Sequence, residues 1–287
     1  MSFVTAAFAS PSPPPPDDAG VQEAFLRAFH AEHPDVTSQL LGRAGTGDGR
    51  SSYRVLADLV AGARRVVELG CGDGLLLELL ARERDPADLA GVDLSPQALA
   101  LARRRPALAG ARLRVGRAQE LPFADGSFDA CVAHMALMLM AQADRVAAEA
   151  ARVLAPGGLL ACVVGGGGEG AYEVFAALLR RAVPPEAGPL RIPRLGDPRA
   201  RTREGLDELL APAGFGPVAW ATLRVDLSGP AERVWESMAG MYDVRPLPPD
   251  LVTEVRGAFL AQAAAITPPG GPTPCGMVLH TAHARLG

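Results

Sequence analysis

The sequence predicts an α/β fold in which a mainly parallel sheet carries helices on both faces. Short apolar strands alternate with helical patterns from residue 65 to residue 164, and this alternation is typical of parallel strands joined by crossover helices. The first predicted strand runs directly into a glycine-rich turn and then a helix. In a sheet of this kind, such a turn places a ligand at the carboxyl ends of the strands.

The individual elements follow from local periodicity and from capping residues. Ser51 is positioned to cap the second helix, Pro156–Gly158 forms a turn, and Gly165–Gly168 is expected to be a loop. A helix follows the fourth strand and ends near Leu154. Strands are predicted at 65–69, 89–93, 113–115, 128–133, 159–164, 218–227 and 277–284. The remaining helices are predicted at 21–33, 51–61, 75–84, 96–105, 171–183, 203–213, 231–242 and 251–264.

These elements suggest one main domain with helical additions. Residues 1–20 contain a proline run and are expected to form a disordered arm. Residues 21–62 form an N-terminal helical cap, and 63–227 form the ligand-binding core. A helical insertion at 228–275 is expected to act as a substrate lid, and 276–287 return as the last strand of the core.

Composition excludes several classes of protein. All 28 basic residues are arginine and the net charge is −4, which makes nucleic-acid binding unlikely. No apolar run approaches the roughly 18–20 residues of a membrane-spanning helix, and the first residues lack the basic start of a signal peptide. The four cysteines show no paired spacing, so we expect reduced thiols and a cytoplasmic location.

The segment from Val67 to Gly74 carries the strongest chemical pattern. Glycines allow the backbone to approach a ligand closely, and Glu68 suits a cationic ligand better than a pyrophosphate. Asp93 ends the next strand about 20 residues later, where a carboxylate can accept ribose hydroxyls. Leu75 stands where a dinucleotide-binding turn would place its third glycine, so the pattern disfavours NAD.

Four motifs in order resemble the class I, Rossmann-like methyltransferases that use S-adenosylmethionine (SAM). They are VVELGCGDG, GVDLS, LPFADGSFDACVAH and RVLAPGGLL, within residues 65–164. The resemblance implies a seven-stranded sheet with an antiparallel last strand, and SAM as the cofactor. It implies cofactor contacts from Tyr53, Glu68, Gly70, Cys71, Gly72, Gly74, Asp93, Leu94, Ala118, Gln119 and His134.

The resemblance also assigns roles within that set. The glycines would line the methionine and ribose parts of SAM, Asp93 would hold the ribose, and Leu94 would pack on the adenine. Ala118 and Gln119 would meet the adenine edge. Many relatives have an acidic residue where this chain has Arg117, so Gln119 or a backbone carbonyl would have to accept from the adenine amino group.

Two residues are candidates for catalysis. His134 follows the fourth strand and could contact SAM or act as a general base; alternatively, it caps a helix or is a satisfied core histidine. Tyr242 lies in the insertion that usually roofs the substrate cavity of the family and is the reserve base. The pairs His30/His33 and His280/His283 do not form a metal site, because no third ligand is evident.

The sequence therefore predicts a SAM-dependent methyltransferase for a small or medium organic acceptor, in specialised biosynthesis. The alternatives are a non-catalytic SAM-fold binding or scaffold protein and an NAD-linked oxidoreductase. Seven arginines between Arg180 and Arg203 could hold an anionic or carrier-bound acceptor, or could form a solvated loop. The acceptor, the methylated atom and the oligomeric state stay open at this stage.

Overall fold

A computed structural model describes residues 18–83, 88–183 and 192–287. The predicted proline-rich arm therefore lies outside the described residues, except for its last three positions. Arg191, one of the clustered arginines, also lies outside them.

The predicted strands and helices are present, most with small shifts at their ends, but a helix at Val36–Leu41 was not predicted. The fifth strand is much longer than predicted and includes residues 156–158, where a turn was expected. The strands are β1 Arg65–Leu69, β2 Asp88–Asp93, β3 Arg112–Val115, β4 Phe128–His134, β5 Leu154–Gly170, β6 Ala219–Asp226 and β7 Cys275–Arg285. The helices are α1 Asp18–Glu32, α2 Val36–Leu41, α3 Ser52–Leu59, α4 Leu75–Glu83, α5 Pro96–Ala102, α6 Ala143–Val153, α7 Ala171–Ala182, α8 Arg203–Leu210, α9 Ala231–Ala239 and α10 Pro249–Ile266.

The seven strands form one sheet in the order β3-β2-β1-β4-β5-β7-β6. Strands β1 to β5 are parallel to one another, whereas β7 runs antiparallel to both β5 and β6. This arrangement confirms the predicted fold class. The chain moves from β1 towards one edge and returns at β4 on the other side, which opens a crevice at the carboxyl ends of these strands.

Helices cover both faces of the sheet and exclude water from it. Val66 faces a cluster formed with α3, α4 and α5, whereas its neighbour Val67 faces a cluster formed with α6 and α8. Both valines are almost fully buried, as expected for a parallel strand with two covered faces. A third apolar cluster joins α7, α9 and α10.

Capping residues explain where two helices begin. The Ser51 hydroxyl accepts a hydrogen bond from the Arg54 backbone N–H, which confirms the predicted cap of α3. Ser95 accepts from the Ala98 N–H at the start of α5. These side chains satisfy backbone donors that have no partner inside the helix.

The prediction of a loop at Gly165–Gly168 is wrong, because β5 continues through these glycines to Gly170 along β7. The register shifts between Gly165 and Gly167, so Gly166 forms a bulge. A Cβ on Gly166 would lie 2.2 Å from His280 Nε2. Glycine is therefore needed at this position because the strand packs closely against the His280 ring. From sequence alone, a run of glycines instead indicates a turn.

Candidate functional site

The main cavity of the described chain lies at the carboxyl ends of the parallel strands. Its volume is about 920 Å³, near the upper end of the roughly 300–1,000 Å³ typical of small-molecule sites. Helices α1 and α2 and residues 240–243 complete its walls. The cavity has room for two ligand groups side by side.

One end of the cavity, the acidic end, is built around Glu68, Asp73 and Asp93. Asp93 terminates β2, and its carboxylate accepts 2.8 Å hydrogen bonds from the Gly72 and Ser95 backbone N–H groups. Gly72 has φ +51° and lines the cavity, where a Cβ would meet no atom within 4 Å. The backbone thus holds Asp93 in place and leaves open space beside it.

Glu68 lies under the glycine turn and is 2% exposed. Burial, followed by the nearby carboxylates of Asp73 and Asp93, raises the pKa of Glu68 well above its usual range. Its Oε2 atom is buried and has no hydrogen-bond partner among the described residues. A buried carboxyl oxygen without a hydrogen-bond partner lowers the stability of the protein unless a ligand supplies that partner. A cationic ligand suits such an oxygen best.

Asp73 connects the glycine turn to two surrounding segments. Arg105 forms an ion pair with it, and the Ser38 hydroxyl of α2 donates to its Oδ2 at 2.9 Å. The charge of Asp73 is thus largely compensated by Arg105. Its hydrogen bond with Ser38 holds α2 against the acidic end. The sequence pattern alone did not identify Asp73 or Ser38.

The residues assigned to the adenine also lie together at the acidic end. Leu94, Ala118 and Gln119 all line the cavity. The Gln119 Nε2 donates to the Ala141 carbonyl at 2.5 Å. This bond orients the amide so that its Oε1 is the group available to accept a hydrogen bond.

Arg117 cannot accept a hydrogen bond from the adenine amino group. Its side chain instead forms an ion pair with Glu23 of α1 at 2.7 Å. Glu23 itself lines the cavity. The residue that departs from the family pattern therefore brings a carboxylate from a distant helix to the same place.

Gly70 and Cys71 line the cavity, but Gly74 does not. A Cβ on Gly74 would lie 2.7 Å from a Leu108 side-chain atom and 3.0 Å from Ala102 Cβ. Gly74 therefore permits close packing behind the turn. Burial raises the pKa of Cys71 well above its usual range, so its thiol stays protonated.

His134 and Tyr53 form an aromatic pair in the cavity lining. Their rings are stacked with centroids 3.6 Å apart and an interplanar angle of 17°. The Nε2 of His134 lies 2.9 Å from the Ser52 hydroxyl, and its buried Nδ1 has no partner among the described residues. Burial lowers the pKa of His134 to about 3, so the ring is neutral at physiological pH.

A second part of the cavity lining, which we call the methionine-rich end, consists of flexible apolar side chains. The Met138 sulfur accepts from the Gly165 backbone N–H at 2.9 Å. The backbone at Met135 has φ +54°, an unusual conformation for a non-glycine residue. The methionines of this end are Met135, Met138, Met241 and Met277.

Polar groups at the methionine-rich end come from three separate segments. Tyr172 begins α7, Arg201 ends a short 3₁₀ helix, and Tyr242 and Asp243 follow α9. Burial, then the charge of Asp243, raises the pKa of Tyr242 to about 12. Burial also raises the pKa of Asp243. Arg201 donates to the Met138 carbonyl at 3.4 Å.

The structure separates the clustered arginines by location. Arg194 and Arg201 line the cavity, whereas Arg199 is paired with Asp197 and Asp144, each at 2.7 Å. The arginines Arg180, Arg181 and Arg203 are exposed outside the cavity lining.

The described residues show neither a metal-binding cluster nor a membrane-spanning helix. Among the described residues, no group of three or more histidine, cysteine or acidic side chains is placed to hold a metal ion. Searching the same residues for long apolar helices finds none able to span a membrane.

Comparison with known proteins gives the class of the core. Residues 67–162 match the family model described as Methyltransferase domain. A fatty-acid O-methyltransferase of Mycolicibacterium smegmatis is 42% identical over 95 residues, which cover 33% of this chain and 35% of that protein. A phthiotriol/phenolphthiotriol dimycocerosates methyltransferase of Mycobacterium ulcerans is 33% identical over 139 residues, covering 48% and 51%. The chain thus spans about half or less of the length of these curated relatives.

A solved structure shares the fold over more of the chain. It is a putative methyltransferase from Bacillus halodurans, with a TM-score of 0.53 and 18% identity, covering 82% of this chain and 98% of that one. Together with the strand order, this likeness shows that the chain has the Rossmann-like fold of class I methyltransferases. Within that fold, residues 67–162 are the part that is similar to the methyltransferase domain family.

Proposed function

We propose that this protein transfers a methyl group from SAM to a small or medium organic acceptor in specialised metabolism. The observation that carries the proposal is the acidic end, where Asp93 stands at the carboxyl end of β2 beside the unpaired Glu68. A ribose needs a fixed pair of acceptor oxygens, and a ligand with sulfonium and ammonium groups needs negative charge without phosphate donors.

The residues present fit SAM. Gly72 leaves open space against the cavity, Asp93 offers both carboxylate oxygens, and the Glu68 Oε2 lacks a partner. When bound, SAM supplies an electrophilic methyl group. The chain's own contribution is to hold the two reactants in line, which can lower a barrier by about 7–11 kcal/mol in favourable cases.

We propose that His134 and Tyr242 contact the reacting groups. The pKa of His134 is lowered to about 3, so it acts as a neutral hydrogen-bonding ring and is a weak base. The pKa of Tyr242 is raised to about 12, so its phenol stays protonated and donates a hydrogen bond. Both effects favour alignment of the acceptor over removal of a proton by these two groups.

The acceptor would occupy the methionine-rich end. Curated relatives named for fatty-acid and phthiotriol substrates support an organic acceptor with a substantial apolar part. Methyl transfer would take place beside the stacked pair of His134 and Tyr53, which lines the same cavity as Asp93 and Glu68.

Calorimetry with SAM, S-adenosylhomocysteine and NAD tests the cofactor. We expect heat from the first two and none from NAD, and a folded protein that fails to bind SAM or its product would contradict the proposal. A labelled-methyl assay over candidate acceptors then separates an enzyme from a SAM-binding scaffold, because only an enzyme gives a labelled product.

A further inference from the structure

The two arginines of the cavity form no ion pair with a described residue. Burial raises the pKa of Asp197, but its bonds to Arg199 and, less strongly, the nearby charge of Arg194 lower it. Within the described residues, Arg194 and Arg201 are the arginines that line the cavity, and neither forms an ion pair. Twelve other arginines do form ion pairs, including Arg199, between them in sequence. They are Arg50, Arg54, Arg65, Arg82, Arg105, Arg112, Arg117, Arg152, Arg199, Arg224, Arg245 and Arg256. Other described arginines also lack an ion pair; Arg194 and Arg201 differ from them in lining the cavity.

Arg201 is half-buried, with its guanidinium held on the Met138 carbonyl by a single 3.4 Å hydrogen bond. Its other donors have no side-chain partner among the described residues. Asp243 is close enough for the Arg201 charge to lower its pKa, but burial raises that pKa more strongly and no ion pair forms. A partly desolvated guanidinium with free donors is well suited to an oxyanion.

The wall beside Arg201 is apolar and adaptable. Five of the chain's seven methionines line the cavity, and four of them form the methionine-rich end. Methionine side chains are unbranched and flexible, and walls built from them accommodate apolar ligands of irregular shape. The remaining surface nearby includes Leu139, Ile192 and Leu195.

We propose that the acceptor is an amphipathic acid, with its acidic group on Arg201 and Arg194 and its apolar body along the methionine-rich end. The inference rests on the proposed function, because it names the acceptor class for that same site. Arg201 is the main anchor because it is half-buried, whereas Arg194 is exposed at the mouth. Tyr172 and Tyr242 supply further hydroxyl donors at the same end.

The test measures binding of simple probes to the full-length protein saturated with S-adenosylhomocysteine. Decanoate, decyl phosphate and decanol are compared by calorimetry below their micelle concentrations. We expect one or both anions to bind at least ten-fold more tightly than decanol, and the stronger anion identifies a carboxylate or a phosphate head. Octanoate or octyl phosphate should bind more weakly by about three- to four-fold per missing methylene.

Variants locate the binding. Arg201→Gln should weaken the preferred anion by about ten- to one-hundred-fold and leave decanol unchanged, which also shows that the cavity is intact. Arg194→Gln should weaken it only a few-fold. Arg203→Gln is the matched control, because this arginine is exposed, unpaired among the described residues and outside the cavity lining; it should bind like the parent protein.

Two results would overturn the inference while the proposed function stands. One is S-adenosylhomocysteine binding with decanol bound as tightly as the anions. The other is anion binding that Arg201→Gln does not change. Failure of S-adenosylhomocysteine to bind at all would instead contradict the proposed function, so the two failures are distinguishable.

Discussion

The acidic end and the methionine-rich end of the cavity are held by different physical means. At the acidic end, backbone N–H groups fix Asp93, and Arg105 and Ser38 fix Asp73. At the methionine-rich end, Arg201 has one long hydrogen bond and the lining is mostly flexible thioether side chains. A rigid end suits a ligand that never changes, whereas an adaptable end suits acceptors that vary between related enzymes.

The two ends also differ in charge. At the acidic end the carboxyl groups of Glu68 and Asp93 form no ion pair among the described residues, whereas the methionine-rich end carries the unpaired Arg194 and Arg201. A cationic cofactor and an anionic acceptor would therefore each meet complementary charge. Removing charge at one end should leave binding at the other end unchanged.

The largest expected effect comes from Asp93→Ala. Hydrogen bonds to a charged group contribute about 1.5–3 kcal/mol, so SAM affinity should fall by roughly 10- to 150-fold. The protein should stay folded, because the side chain bonds only to the Gly72 and Ser95 N–H groups beside the cavity and not to a strand or a helix interior. Calorimetry with SAM and a thermal melt measure the two effects.

Decanol provides the control at the other end of the cavity. Its affinity should be the same in Asp93→Ala and in the parent protein. Unchanged SAM affinity in the variant would remove Asp93 from the cofactor site, and a parallel loss of decanol binding would show that the two ends are not independent.

A second prediction concerns the proton on Glu68. The folded-state pKa is raised above the unfolded value, so the folded protein binds the proton more tightly than the unfolded chain does. The resulting contribution to stability is fully present below the unfolded pKa of about 4.5 and is lost as pH rises through the folded pKa. Glu68→Gln removes this loss and should raise the melting temperature at neutral pH.

The same substitution should weaken SAM binding by roughly ten-fold, because the neutral amide cannot attract a cation. In the parent protein, SAM should displace the proton, so its affinity should increase with pH towards the folded pKa of Glu68. Calorimetry in two buffers of different ionisation enthalpy detects that released proton. Equal proton release in Glu68→Gln would assign the effect to another group.

The acidic end could be predicted from sequence because it is local. Glu68, the glycine turn and Asp93 lie within one strand–helix–strand unit whose spacing follows from the fold. All of the predicted cofactor residues except Gly74 line the cavity. Gly74 is required for packing against Leu108, and sequence alone does not distinguish packing from ligand contact.

The methionine-rich end was largely unpredictable because four distant segments build it. Met138, Tyr172, Arg201 and Asp243 have no common spacing, and only the tertiary fold brings them together. The methionines gave no periodic pattern that separated a cavity wall from a core. The excess of arginine was visible in the sequence. The sequence did not show that Asp197 and Asp144 pair with Arg199 and leave Arg194 and Arg201 without an ion pair.

Helix α1 lines the cavity, and this gives the last prediction. At the acidic end, Glu23 pairs with Arg117 and the Arg27 side chain donates to the Leu94 carbonyl at 2.8 Å. At the C-terminal end of α1, outside the cavity lining, Glu32 pairs with Arg245 at 2.8 Å. Since these contacts are polar and partly exposed, we expect α1 to open for ligand exchange and close over the bound cofactor.

Addition of S-adenosylhomocysteine should slow hydrogen exchange in α1 and at 240–243, which line the cavity, and leave α10 unchanged, because α10 lies in the separate cluster with α7 and α9. Partly exposed ion pairs contribute about 0.2–1 kcal/mol. Arg117→Gln should therefore lower SAM affinity by at most about five-fold, and Glu23→Gln should add nothing further in the double variant. Glu32→Gln, which breaks the pair at the C-terminal end of α1, should leave SAM affinity unchanged. If the rate of hydrogen exchange in α1 does not change when S-adenosylhomocysteine is added, the helix is a fixed wall of the cavity and not a lid.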